Sequence, residues 1–125
     1  MSYTINFIFK KDHLHARIKG ENTAENILHY LRDINDACKQ HACTRVLIEE
    51  NLTGPSIGTL DIFRIVNQAS QNTSPVIHKI AYVDVNPEHD FKGMQFAETV
   101  AQNRGVYIRL FREVKSAEEW LGEKK

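Results

Sequence analysis

A short apolar run near the middle of the chain, Arg45-Val46-Leu47-Ile48, is typical of a strand buried on both faces of a parallel sheet. Apolar residues recur at three- and four-residue steps on either side of it, in one stretch that follows Asn22 and in another that begins at Ile57. This period predicts a helix before the strand and a helix after it. Strands that alternate with helices require crossover connections, so the sequence predicts an α/β domain.

Two runs nearer the N-terminus alternate between apolar and polar residues, which is the period of a strand with one buried face. They lie at residues 3–9 and 13–19, and the short Lys11-Asp12 connection between them predicts an antiparallel hairpin. His13 and His15 fall on the polar face of the second run. We expect that face to be exposed.

The C-terminal half continues the alternation. Residues 79–85 and 106–111 predict strands, and Asp90 and Gly105 mark the start and the end of the helix between them. Capping boxes that begin at Asn22 and Ser116 predict the starts of the first and last helices. The predicted order is ββαβαβαβα: a mainly parallel sheet with an N-terminal antiparallel hairpin and helices packed on it, in a single domain that spans residues 1–125.

Composition excludes several classes of protein. The 125 residues include 16 Lys and Arg against 16 Asp and Glu, so the formal net charge is zero and no general attraction to nucleic acid is expected. Apolar runs such as Ile80-Ala81-Tyr82-Val83 are only strand-length, so we expect no transmembrane segment, and the N-terminus shows no secretory signal. Two cysteines are too few for a disulfide framework, and we expect a cytoplasmic protein.

The order of elements and the closing pattern Ser116-Ala117-Glu118-Glu119-Trp120-Leu121 resemble the STAS domain of anti-sigma-factor antagonists, and within it the SpoIIAA-like group of small stand-alone bacterial proteins. The resemblance implies a non-enzymatic regulatory module that binds a protein partner. In that family the loop after the third strand reads Asp-Ser-x-Gly or Asp-Thr-x-Gly, and its hydroxyl is open to a kinase. Here the loop reads Pro55-Ser56-Ile57-Gly58, so the phosphorylation motif is degenerate.

Ser56 has two interpretations. A serine that opens a helix commonly accepts a hydrogen bond from a backbone amide, and this interpretation as the N-cap of the second helix is favoured. The alternative is a phosphorylation site, where the added negative charge would change the surface that a partner meets. The segment from Gly54 to Thr59 has neither the lysine nor the spacing of a nucleotide-binding P-loop.

Acidic residues mark the ends of two predicted strands. Glu49 and Glu50 end the third strand and Asp84 lies near the end of the fourth, at the edge where open α/β sheets bind ligands. An exposed strand end is favoured over acid–base chemistry. A second hypothesis is a domain that binds a small molecule or lipid in a crevice of roughly 300 Å³ or more at this edge. The candidate binding loop comprises Glu49, Glu50, Asn51, Thr53, Gly54, Ser56, Gly58 and Asp84.

Other combinations of reactive side chains are weak. His13 and His15 point the same way on one strand, but sequence spacing supplies no third or fourth metal ligand, and Cys38, His41 and Cys43 make only three. Because no nucleophile has an obvious base partner, we expect neither an enzyme nor a cofactor nor a metal. The first strand is a plausible edge for a homodimer.

Overall fold

The computed structural model describes residues 3–123. Strands and helices follow one another in the predicted order. Their bounds are β1 Tyr3–Phe9, β2 Leu14–Glu21, α1 Ala24–His41, β3 Arg45–Thr53, α2 Thr59–Asn72, β4 Lys79–Asp84, α3 Phe91–Asn103, β5 Ile108–Phe111 and α4 Val114–Leu121.

One sheet with the strand order β1-β2-β3-β4-β5 organises the molecule. β1 and β2 are antiparallel, and every later pair is parallel. The predicted α/β class, with its N-terminal hairpin and mainly parallel sheet, is confirmed. Because the neighbouring strands after β2 are parallel, each of the three connections from β2 to β5 is a crossover. Each crossover contains a helix of 13 to 18 residues.

The two faces of the sheet have separate cores, because successive side chains of β3 point to opposite faces. On one face, Val46 and Ile48 pack with Tyr30, Ile34 and Cys38 of α1. The opposite face is covered by α4, with a cluster of Leu47, Ala81, Val83, Ala117, Trp120 and Leu121. This burial on both faces explains why the Val46-Leu47-Ile48 run is continuously apolar.

Helix α2 lies apart from this packing. It packs chiefly against α1 and α3, and Ile65 is its one buried residue. Leu60 in its first turn is 86% exposed. The face of the sheet that carries α1 is therefore closely covered by α1 but only loosely covered by α2.

Three predicted helix starts are wrong. α1 is capped by Thr23, whose Oγ1 accepts a hydrogen bond from Asn26 N at 3.1 Å, and not by Asn22. α2 begins after Gly58 rather than at Ser56. α4 begins at Val114, so the capping box proposed at Ser116 lies inside the helix. In each case several polar residues precede the helix, and the tertiary course of the loop decides which of them caps it.

The predicted start and end of α3 are confirmed. Asp90 accepts a hydrogen bond from Lys92 N at 2.9 Å. Gly105 follows the helix with a φ of +84°, a conformation that glycine adopts without a steric penalty.

The exposed polar face predicted for β2 is confirmed at Arg17 and Lys19 but is wrong at the two histidines. His13 and His15 are buried, with 9% and 6% of their surface exposed, because they lie on the side of the sheet that α4 covers. Both cysteines are free thiols. Among the helices of residues 3–123, none is long and apolar enough to cross a membrane.

Candidate functional site

The loop between β3 and α2 lies on the surface. Gly54 turns the chain with a φ of +110°, and Gly54, Pro55, Ser56 and Gly58 are all exposed. Ser56 Oγ accepts a hydrogen bond from Asp90 N at 3.0 Å. Ser56 therefore binds the start of α3 instead of capping α2, and its hydroxyl remains accessible from solvent.

His89 fastens this loop to the sheet. The residue is 5% exposed, and its Nδ1 lies 2.6 Å from Asp84 Oδ2 while its Nε2 lies 3.1 Å from Gly54 O. The ring therefore links the backbone of the loop to the carboxylate at the end of β4. From the other side, Asn22 Nδ2 donates to Pro55 O at 2.8 Å. The loop is thus held by side chains from two further connections.

No sequence pattern predicted a role for His89. The residue lies five positions after Asp84, which the strand pattern had already singled out. No local motif pairs a histidine with a carboxylate five positions earlier in the sequence. The two side chains meet only because the Asn86-Pro87 turn between them reverses the chain.

Glu49 and Glu50 point to opposite faces of β3 and do not form a carboxylate pair. Glu49 Oε1 lies 2.7 Å from His15 Nε2 beneath α4, whereas Glu50 lies on the side of α1. The prediction of an exposed strand end is wrong for both, because β3 continues to Thr53 and pairs along its length with β2.

Glu50 is enclosed by hydroxyl donors. Tyr82 donates to its Oε1 at 2.9 Å, and Tyr30 donates to its Oε2. Burial, at 2% exposure, raises the pKa of the Glu50 carboxyl to about 7, against the opposing effect of the two hydrogen bonds. Burial beside Glu50 also raises the pKa of both tyrosine hydroxyls.

The register of the sheet brings part of the predicted binding loop together. Glu50 pairs with Asp84 across β3 and β4, and one ligand atom of each lies within 4.8 Å of one of His89. Ser56 lies at the same end of the sheet. By strand alternation Glu49, Asn51 and Thr53 belong to the other face, and Thr53 Oγ1 donates to Gly20 O at 3.2 Å.

Between α2 and the sheet lies a cavity of about 160 Å³. This is smaller than the crevice of roughly 300 Å³ expected for a drug-sized ligand. Its walls are mostly apolar, with Glu50, Asp84 and His89 at the polar end. The apolar lining includes Ile27, Leu31, Ile48, Ile62, Ile65, Val66, Ala69, Ile80, Met94, Ala97 and Ile108.

No protein-family model matches the sequence, and no curated protein matches it either. Solved structures do. An anti-sigma factor antagonist from Mycobacterium paratuberculosis superposes with a TM-score of 0.64 at 10% identity, covering 98% of this chain and 96% of the other. An uncharacterized protein from Shewanella loihica, described as having a SpoIIAA-like fold, gives 0.53 at 16% identity over 96% and 94%.

The chain has a SpoIIAA-like fold. An RsbS variant from Moorella thermoacetica agrees with this assignment, with a TM-score of 0.56 at 11% identity over 94% of this chain and 93% of the other. The fold expected from the sequence resemblance is therefore confirmed over nearly the whole chain. In this SpoIIAA-like domain the exposed Ser56 follows the third strand, as the sequence comparison had placed it.

Proposed function

We propose that this SpoIIAA-like domain is a non-enzymatic regulatory module that binds a protein partner through its loop face, defined as residues 54–58 with Leu60 and Phe63 of α2. The observation that carries the proposal is the exposure of two large apolar side chains beside an accessible serine. Leu60 is 86% exposed and Phe63 44% exposed. Anti-sigma factor antagonists are among the structures with the same fold, which supports a role exercised through contact.

The way the loop is held supports recognition by a partner. A surface that is fixed before binding loses less conformational entropy when a complex forms. The loop backbone is fixed by Asn22 and His89, whereas Ser56 Oγ is bonded only to the Asp90 amide among the described residues. A phosphate on Ser56 would add negative charge beside Asp90, and so would alter the loop face without entering the core.

Capture from a native lysate with chemical crosslinking tests the loop face. We expect wild type to retain a partner that crosslinks near α2, and Leu60→Asp to lose it, because a carboxylate is costly to bury in an apolar contact. Gln68→Asp, at an exposed position further along α2, is the matched control. Ser56→Glu, compared with Ser56→Ala, reports whether charge on the loop regulates the complex. Equal capture by Leu60→Asp and Gln68→Asp would contradict the proposal.

The edge strand β1 supports self-association as part of this function. Within residues 3–123 it pairs only with β2, so its other edge carries backbone groups open to a second copy. Native mass spectrometry of the purified chain, which reports subunit number directly, tests the expected homodimer.

The cavity favours a second function, binding of a small, mainly apolar molecule. A cavity of about 150 Å³ with apolar walls is large enough to hold benzene, so the 160 Å³ here suits a single ring or a short chain. Four lining residues are acidic: Glu50, Asp84, Asp90 and Glu98. Among the described residues that line the cavity, none is Lys or Arg. A neutral or cationic ligand therefore fits the cavity better than an anionic one such as a fatty acid.

A further inference from the structure

A second polar cluster lies on the opposite face of the sheet, between β2 and α4. His13 and His15 alternate along the chain at the start of β2, and Glu118 of α4 lies over them. One ligand atom from each of the three lies within 4.8 Å of the other two. The third ligand that the sequence spacing did not supply therefore comes from the C-terminal helix, more than 100 positions away.

Each of these histidines is held by a carboxylate through one ring nitrogen. His13 Nδ1 lies 2.8 Å from Asp12 Oδ1, and His15 Nε2 lies 2.7 Å from Glu49 Oε1. The remaining nitrogens, His13 Nε2 and His15 Nδ1, are buried and have no hydrogen-bond partner within residues 3–123. His13 Nε2 is 3.7 Å from Glu118 Oε2, too far for a hydrogen bond.

Two buried acceptors without partners cost free energy unless something binds them. A carboxylate on one ring nitrogen, with the other nitrogen free, is the arrangement that orients histidine toward a metal ion. The other carboxylate–histidine cluster, of Glu50, Asp84 and His89, lacks this feature. There both nitrogens of His89 have acceptors, and Glu50 receives two hydroxyl hydrogen bonds.

We propose that His13, His15 and Glu118 bind a divalent transition metal ion such as Zn²⁺. Two imidazole nitrogens and one carboxylate oxygen are an established zinc donor set, with a fourth position left to water or another ligand. Donor atoms in a tetrahedral zinc site lie about 3.4 Å apart, compared with 3.7 Å between His13 Nε2 and Glu118 Oε2 here and at most 4.8 Å within the cluster. The metal would join β2 to α4.

Lys10 gives the site a competing cation. Its Nζ donates to Glu118 Oε2 at 2.8 Å, and its side chain is 40% exposed. A metal ion on Glu118 meets repulsion from this ammonium group, or displaces it toward solvent. Removing the Lys10 charge should therefore raise the metal affinity of the site. If the Lys10–Glu118 ion pair served only to hold the cluster in place, the same change would lower the affinity instead.

Calorimetric titration of the chelator-treated chain with Zn²⁺ alone tests the proposal. We expect one ion per chain and a rise in Tm of roughly 10 °C at a hundredfold excess over Kd. Glu118→Gln, at a partly exposed position that should not disturb folding, is expected to weaken binding at least ~100-fold. Glu49→Gln, which removes the carboxylate that holds His15, should weaken it ~10- to 100-fold, and Lys10→Gln should strengthen it several-fold.

Two controls separate this site from others. His78→Gln removes an exposed histidine outside the cluster and should leave Kd unchanged. Co²⁺ substituted for Zn²⁺ reports the ligands, because thiolate charge-transfer absorption would reveal binding at Cys38 and Cys43 instead. The proposal is overturned by absence of one-to-one binding, by thiolate absorption, or by Glu118→Gln binding as tightly as His78→Gln.

Discussion

Glu50 lies on β3 with 2% of its surface exposed, and burial raises the pKa of its carboxyl from 4.5 to about 7. Between these two values the folded chain holds a proton that the unfolded chain releases, so the stabilisation present below pH 4.5 is lost as pH rises through 7. At about 1.4 kcal/mol for each pKa unit, the contribution is about 3 kcal/mol. We expect Glu50→Gln, which stays neutral, to lose less free energy of unfolding than wild type over this interval.

Urea unfolding of both proteins at pH 4.5, 6 and 8 measures the difference at the residue scale. The difference between their free energies of unfolding at each pH cancels the contribution of the titratable groups that wild type and Glu50→Gln share. If the free energies of unfolding of wild type and Glu50→Gln differ by the same amount at every pH from 4.5 to 8, the assignment of a raised pKa to Glu50 is contradicted.

At the scale of elements, α4 is held at its C-terminal end by cations from the sheet. Lys79 Nζ donates to Trp120 O at 3.0 Å and to Glu123 O at 3.2 Å, and it lies 4.8 Å from the centre of the Trp120 ring. Arg45 donates to Leu121 O. Positive charge at this end suits the helix dipole, although burial lowers the pKa of Lys79.

Lys79→Met keeps the apolar stem of the side chain and removes the ammonium group. Since hydrogen bonds from a charged donor contribute about 1.5–3 kcal/mol, we expect the free energy of unfolding to fall by about 2 kcal/mol in a chemical denaturation experiment. Lys115→Met, at an exposed position on the same helix, should change it by less than about 0.5 kcal/mol. Similar losses from the two substitutions would show that the Lys79 contacts do not hold α4.

At the scale of the whole molecule, the cavity between α2 and the sheet is the feature on which the second proposed function, ligand binding, depends. Toluene fits it by size and polarity, and at ten times its Kd a bound ligand should stabilise the fold by about 1.4 kcal/mol. Ala69→Phe places a ring in the cavity from α2 and should abolish the toluene-induced rise in Tm. Gln68→Phe, on the exposed side of the same helix, should preserve it. Benzoate should produce no rise, because the mostly apolar lining includes four acidic residues and, among the described residues, no Lys or Arg to pair with its carboxylate.

A rise in Tm of equal size in wild type and Ala69→Phe would show that toluene binds elsewhere. Absence of any rise in wild type would remove the second function without testing the exposed side chains of Leu60 and Phe63, which do not line the cavity.

Sequence patterns predicted the architecture because hydrophobic period is a local property. The alternation at residues 3–9 and the run Val46-Leu47-Ile48 each report the environment of their own strand. Element order then leaves few ways to connect a mainly parallel sheet, so the predicted α/β class is confirmed. Helix starts were less predictable, because Asn22, Thr23 and Ser56 are all competent caps and neighbouring loops decide among them.

The sequence by itself determined the succession of strands and helices and the exposed serine after the third strand. Tertiary structure alone decided that Glu50 is buried, that His89 fastens the loop, and that Glu118 lies over His13 and His15. These pairings join residues on different elements, some of them more than 100 positions apart, and their distances depend on strand register and helix packing. The burial of such side chains and the contacts between them depend on how the whole chain folds, so the hydrophobic period of a single strand or helix does not reveal them.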